Sequence, residues 1–477
     1  MNMRKRGSAE RKSRGSATVI AMFVIAVMVA ASASFFFIGG YNNNDAGASD
    51  IGVTDITGVS ERTGYEVSIG GMSSTWGIEN AIAQAISENP GVDIIVTGMN
   101  NMTIVDKVDN GLTIDLSDAT IVWASEYISS STVSITGPGT FILDENGSFE
   151  VMSFELVACE AELNGELRSY YGPYPYGGYV YYDINFVARM STVTVNTQLA
   201  SQGWTNITID SSNVIVTNDQ YLRRTFCYVL GTNGLLTFNG DLHFGGSDCE
   251  IMAGYVGYDD KTGEVIKVND GGTIVINGNI FGGEITYISA IGNGSVTVNG
   301  NLRGWSGELT AGGAKGLSGR LTAVPGGTIV INGDVQWTSA FITAIETGAV
   351  TINGYVFSSG ATIAAGLEGY DWWTYSNFKY SGGTIFISGS VVGSWMSETE
   401  IFAIVGGTIF INGNATARVI SVGSGSTITV MGDVDVTGNY DAKLEVIDGG
   451  IFAINGTLTV PNNELIFINN GTETRLT

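Results

Sequence analysis

The chain has 477 residues, only 14% of them charged, and 46 acids against 21 bases give a formal net charge of −25. Six of those bases (Arg4, Lys5, Arg6, Arg11, Lys12 and Arg14) crowd the first 14 residues, so the rest carries 15 bases against 45 acids. This excludes a nucleic-acid partner, which demands clustered Lys and Arg. The 44% hydrophobic content excludes a disordered chain.

Residues 1–16 form a basic, polar tail. Residues 17–41 then run for 25 positions without a charge. At about 1.5 Å per residue this spans a hydrocarbon core of roughly 30 Å. The basic flank is expected to stay in the cytoplasm, which places the C-terminal body outside. The apolar stretch exceeds the roughly 7–15 residues of a signal-peptide core. Phe35, Phe36 and Phe37 come soon after the small-residue site Ala31-Ser32-Ala33, with a second such site at Ala46-Gly47-Ala48. The expectation is a retained transmembrane anchor, a linker over 42–64 and an ectodomain over 65–477, as a single-pass cell-surface protein.

Two further counts fit export. Seven sequons, at Asn101, Asn146, Asn206, Asn293, Asn414, Asn455 and Asn470, permit N-glycosylation. The three cysteines, Cys159, Cys227 and Cys249, form neither a disulfide framework nor a metal-binding spacing. They read as buried thiols, with a single bridge between two of them as the alternative.

The body begins with a short strand over Tyr65–Ile69. Ile78, Ile82, Ala85 and Ile86 then share one helical face. Ser74 or Thr75 is the N-cap, and Asn89-Pro90-Gly91 is the stop, so a helix is predicted over about 75–88. Strand-like runs follow at Val92–Val96, Leu112–Leu116, Thr120–Val122 and Thr132–Ile135.

From residue 230 to 460 the sequence repeats. Nine segments read alike, among them GTIVINGNI from Gly272, GSVTVNGNL from Gly294, GTIVINGDV from Gly327 and GTIFINGNA from Gly407. Each alternates apolar with polar residues, is rich in β-branched side chains, and most close on Asn-Gly. The turn glycines are spaced 38, 22, 33, 21, 35, 24, 19 and 24 residues apart. The short spacings define a coil of about 22 residues, and the long ones add an insertion. A second strand precedes several motifs, for example Ile342–Ile345 and Ile401–Ile404. This pattern predicts an all-β fold, a single-stranded parallel β-helix in which each strand pairs with its copy one coil away. Asn239, Asn277, Asn299, Asn332, Asn353, Asn412 and Asn455 fall at one site and should form an amide ladder. Ser388 and Met431 interrupt it.

The segment NAIAQAISENPGVDIIVTG, followed by short strands, resembles the entrance to pectate-lyase-like right-handed β-helices. The chain as a whole is similar to adhesin-like surface proteins of archaea and bacteria, which place such helices behind a membrane anchor. The likeness covers residues 65–477, is one of architecture, and implies no specific activity.

Chemistry-bearing clusters are sparse. Asp115 and Asp118, Asp259-Asp260-Lys261, Arg223-Arg224 and the single histidine, His243, offer no catalytic constellation, so no catalytic residue and no cofactor is assigned. Scattered acids attract Ca2+ only weakly. Two aromatic runs fall in insertions: Tyr174, Tyr176 and Tyr179, and Trp372, Trp373 and Tyr375. Exposed rings with polar tips suit sugar or protein contact. The expected function is a membrane-anchored adhesin-like or envelope structural protein, with a glycan or an envelope protein as partner. The alternative is a polysaccharide lyase or glycoside hydrolase of the same fold. Such an enzyme should gather three carboxylates, or carboxylates with Arg, in one groove.

Overall fold

The computed structural model describes residues 64–475, apart from 71, 73, 102–110, 174–178, 201–203, 247–248, 259–264, 316–320, 372–375, 394–397, 438–441, 448, 461–464 and 468–471. Residues 1–62 form a separate unit. The tail, the expected anchor over 17–41 and nearly all of the linker therefore lie outside the described residues. No helix among the described residues is long and apolar enough to cross a membrane.

The body is a parallel β-solenoid with three strands per coil, one on each of three faces. The first face is an unbroken ladder of 17 strands. Its members include the nine repeat motifs, such as Thr273–Ile276, Gly292–Val298 and Gly326–Ile331. Ile274 pairs with Val296, and Val296 with Ile329, so like residues stack on like. Seventeen strands at about 4.8 Å per step give a face roughly 80 Å long. The second face holds shorter strands such as Leu242–Gly245 and Val356–Ser358. The third holds strands such as Cys249–Ala253 and Ile285–Ala290. Of the runs expected to precede the repeat motif, those beginning at Ile288, Ile342, Ile401 and Leu444 fall on this third face, whereas the run expected over 321–324 supplies the hairpin strand Leu321–Ala323 instead. Strands Leu302–Ala311 and Val335–Ala344 bend through the corner and serve the second and third faces together.

Side chains on alternate positions point inward and are fully buried. In the first coils the interior is aromatic. Trp123 stacks on Phe149 at 4.8 Å, and Phe149 packs against Phe154 at 5.2 Å. Farther along, columns of Ile, Val and Ala take over, such as Ile274, Val296, Ile329 and Val350. All three cysteines are buried. Burial raises the Cys227 thiol to about 12 and also raises Cys159.

The helix α1 spans Thr75–Glu88, with Ser74 Oγ accepting the Gly77 N–H as N-cap. It follows the first strand of the first face, Tyr65–Ser68, and precedes the second, Ile94–Thr97. In this first coil the helix therefore takes the place of two strands. Ile78, Ile82 and Ala85 close the end of the core. Glu79 Oε1 accepts the N–H of Thr113, which lies on the first strand of the third face, so the helix also satisfies an exposed sheet edge.

Asn-Gly at a strand end suggests a left-handed turn, and the repeat's turn glycines depart from it. None of the nine turn glycines of the repeat motif has a positive φ. Their need is close approach: a Cβ on Gly300 would sit 2.4 Å from the Gly278 carbonyl oxygen of the preceding coil. The left-handed backbone occurs instead at the corner between the third and first faces. Non-glycine residues adopt it there, including Ala158, Met190, Ser211, Glu346 and Val405.

The long spacings are antiparallel hairpins. Tyr255–Tyr258 pairs with Val265–Asn269, Gly313–Lys315 with Leu321–Ala323, and Leu367–Asp371 with Ser376–Tyr380. All three leave the corner between the third and first faces. They follow third-face strands Cys249–Ala253, Leu302–Ala311 and Gly360–Ala365, with one hairpin-free coil between each pair. Two coils rise about 9.6 Å, close to the roughly 10 Å at which sheets pack face to face. Accordingly Tyr380 Oη donates to Leu321 O at 3.0 Å, and Val324 packs on Met252, Val256 and Ile291. A fourth hairpin, Tyr171–Pro173 with Tyr179–Tyr181, rises from the corner between the second and third faces.

Candidate functional site

The expected amide ladder forms over five positions. Asn277 donates to Asn239, Asn299 to Asn277, Asn332 to Asn299 and Asn353 to Asn332, at 2.6–2.8 Å. It is exposed, at the end of the first-face strands. Ser388 and Met431 flank Asn412, and Met431 precedes Asn455, so these two have no amide neighbour in the column. The ladder also has an upstream section that the repeat pattern did not reveal. Asn196 donates to Asn164 at 2.8 Å, and Thr217 donates to Asn196 at 2.9 Å.

A second column runs two residues beyond the first, and sequence reasoning passed over it. The N–H groups of Asp241, Asn279, Asn301, Asp334 and Tyr355 are each accepted by the side-chain oxygen one coil earlier: Asp219, Asp241, Asn279, Asn301 and Asp334. Asn414, Asp433 and Thr457 continue the pattern. The signal was in the motif: the residue after each turn glycine is Asp, Asn, Ser or Thr in all nine repeats except at Tyr355.

The other sequence candidates are dispersed. Asp115 Oδ1 accepts the Ser117 N–H, and Asp118 has φ 65°, so this acid pair builds a turn. The Arg224 guanidinium lies 5.7 Å from the centre of the Trp204 ring. His243 is sandwiched between Tyr221 and Phe281 at 4.5 and 4.7 Å, its ring nearly parallel to both. That stack sits on the outside of the second face, with its ring faces used on one another. Asp259, Asp260, Lys261, Tyr174, Tyr176, Trp372, Trp373, Tyr375 and Asn470 lie outside the described residues. Tyr179 is on a hairpin strand. Of the sequons, Asn146, Asn293, Asn414 and Asn455 are exposed, and Asn101 ends a strand. Asn206 is half-buried, and its Nδ2 donates to Asn185 Oδ1 at 2.9 Å. No group of three or more His, Cys, Asp or Glu residues that could hold a metal occurs among the described residues.

What the structure does bring together lies around the two bent strands. On the third face, Ser306, Glu308, Tyr287, Ser339 and Phe341 line a hollow of about 240 Å³. On the second face, Gln336, Trp337, Thr338, Phe357 and Ser359 line a shallower one of about 610 Å³. Residues 336–338 line one and 339 and 341 the other, so a single strand floors both. Trp337 is inward and 1% exposed. Its ring fits only because position 307 lacks a side chain: a Cβ there would lie 2.3 Å from the indole.

Acids mark the third-face end. Glu250, Tyr287 and Glu308 occupy one outward column on successive strands. Thr310 Oγ1 donates to Glu308 Oε1 at 3.0 Å, and Tyr228 Oη donates to Glu250 Oε2 at 3.2 Å. Burial raises Glu250 to about 7, and the Glu308 charge adds to that rise. Burial and the Glu250 charge raise the Tyr228 phenol as well. Of these two acids only Glu308 lines the hollow; Glu250 stands two strands away in the same column, with Tyr287 between them.

Comparison with family models, with curated proteins and with solved structures finds no match for the chain.

Proposed function

We propose that the protein is a membrane-anchored display rod on the cell surface, of the adhesin-like kind built on a pectate-lyase-like right-handed β-helix. The observation that carries this is the placement of the hairpins. Three of them leave one corner on alternate coils, and a stack of in-register strands roughly 80 Å long holds them in place. A rigid scaffold with projecting loops on one edge is a geometry for contact at a distance from the membrane. The uncharged run over 17–41 with its basic flank supplies the anchor, and the acidic body stays soluble outside.

The test is fractionation. The full chain should remain with the membrane pellet after an alkaline wash, and deletion of residues 17–41 should release it. A full-length chain that washes off like a peripheral protein would refute the anchor. A carbohydrate-active enzyme of the same fold is the second reading. It rests on the two acids Glu250 and Glu308 of one outward column, two strands apart, and requires release of reducing ends that Glu308→Gln abolishes.

A further inference from the structure

We propose that the groove around the bent strands Leu302–Ala311 and Val335–Ala344 is a binding site for an uncharged oligosaccharide. Four observations lead to it. First, the two hollows follow one another along a single strand and cross a corner of the solenoid, which gives an elongated site for a chain-like ligand rather than a closed pocket. Second, aromatic residues alternate with hydrogen-bonding groups along it: Phe357, Gln336, Phe341, Tyr287 and Glu308. Flat apolar surface beside directed polar groups matches the two sides of a sugar ring.

Third, the floor of the second-face hollow is fixed from beneath: the Trp337 ring is held inward against Gly307, whose missing side chain is what admits it.

Fourth, charge selects among glycans. Glu308 lines the third-face end, Glu250 shares its column, and the body is strongly acidic. Among the described residues, no arginine or lysine lines either hollow. Uronate and sulfated polymers are therefore repelled, whereas hydroxyl groups can donate to a carboxylate. The same reasoning disfavours a lyase here, since β-elimination acts on uronates.

The proposal concerns the groove and not the anchor, so binding and membrane retention succeed or fail separately. The experiment uses the full chain in detergent, printed against gluco-, galacto-, manno- and xylo-hexaoses together with oligogalacturonate and a sulfated glycan. At least one uncharged hexaose should bind saturably. Phe357→Ala and Gln336→Ala should each weaken that binding about tenfold or more without shifting the melting temperature. Silence toward every uncharged hexaose would overturn the proposal, as would tighter binding of oligogalacturonate. So would wild-type binding by Phe357→Ala and Gln336→Ala, or loss confined to a Trp372→Ala/Trp373→Ala control.

Discussion

Replacing Gly307 by alanine sets two effects of opposite sign against each other. Gly307 lies in a strand, paired with Thr286 on one side and Ala340 on the other, and its φ is not in the left-handed region. Backbone entropy alone therefore favours alanine by about 0.5–1 kcal/mol. The new Cβ, however, would lie 2.3 Å from Trp337 Cδ2 and Cε2 and 2.4 Å from Cε3. Carbon atoms pack at about 3.5–4.0 Å, so the indole must move by more than about 1 Å inside a filled core. Overpacking of this kind costs about 1–3 kcal/mol. The net expectation is a loss of about 1–2 kcal/mol, read by urea unfolding. The double variant Gly307→Ala/Trp337→Leu removes the clash and should be less destabilised than the sum of its single variants by about 1 kcal/mol or more. A Gly307→Ala protein as stable as wild type, or strictly additive single variants, would refute the reasoning.

Three further outcomes are expected. Asn299→Ala breaks two links of the amide ladder, those to Asn277 and Asn332. Because the ladder is exposed, water compensates in part, and the loss should be about 1–2 kcal/mol by urea unfolding; an unchanged midpoint would show that the ladder contributes nothing. Glu250 titrates near 7 in the folded chain, above its ordinary 4.5. The unfolded chain therefore releases this proton first, and stability falls as pH rises from about 4.5 to about 7. Glu250→Gln lacks this loss. It should match wild type in melting temperature at pH 5 and exceed it at pH 8, by up to roughly 3 kcal/mol of stability; an equal difference at both pH values would contradict the assignment. Expressed through a glycosylating secretory pathway, Asn146 and Asn455 should carry glycan and Asn206 should not, because its Nδ2 is engaged inside a strand ladder. Peptide mass mapping decides this, and an occupied Asn206 in folded protein would be the contrary result.

The sequence carried the coil well because the repeat is periodic at two levels. Alternation within GTIVINGNI marks the strand, and recurrence every 22 or so residues marks the stack. The helix was legible to within its cap, since Ser74, the Ile78-Ile82-Ala85 stripe and Pro90 are local signals. The role of the turn glycines was not legible. Asn-Gly suggests a left-handed turn in isolation, but here the demand comes from the coil beneath, which a single motif does not encode. The second polar column was visible at Asp241, Asn279, Asn301 and Asp334, yet it reads as an ordinary turn until the coils are stacked. The groove was hidden for a deeper reason. Gln336, Trp337, Phe341, Glu308 and Tyr287 come from three different coils, and no spacing along the chain links them. Only Gly307 hinted at it, as a glycine within a strand where no turn is needed.

Surface labelling on intact cells tests the central claim most directly. With the full chain in its native host, an added protease or a membrane-impermeant amine reagent should reach the body, for example at Lys379, which is exposed, while the cells remain sealed. The account predicts modification of the body before lysis, with the basic residues of the first 14 protected. A body that is modified only after the cells are opened would contradict it.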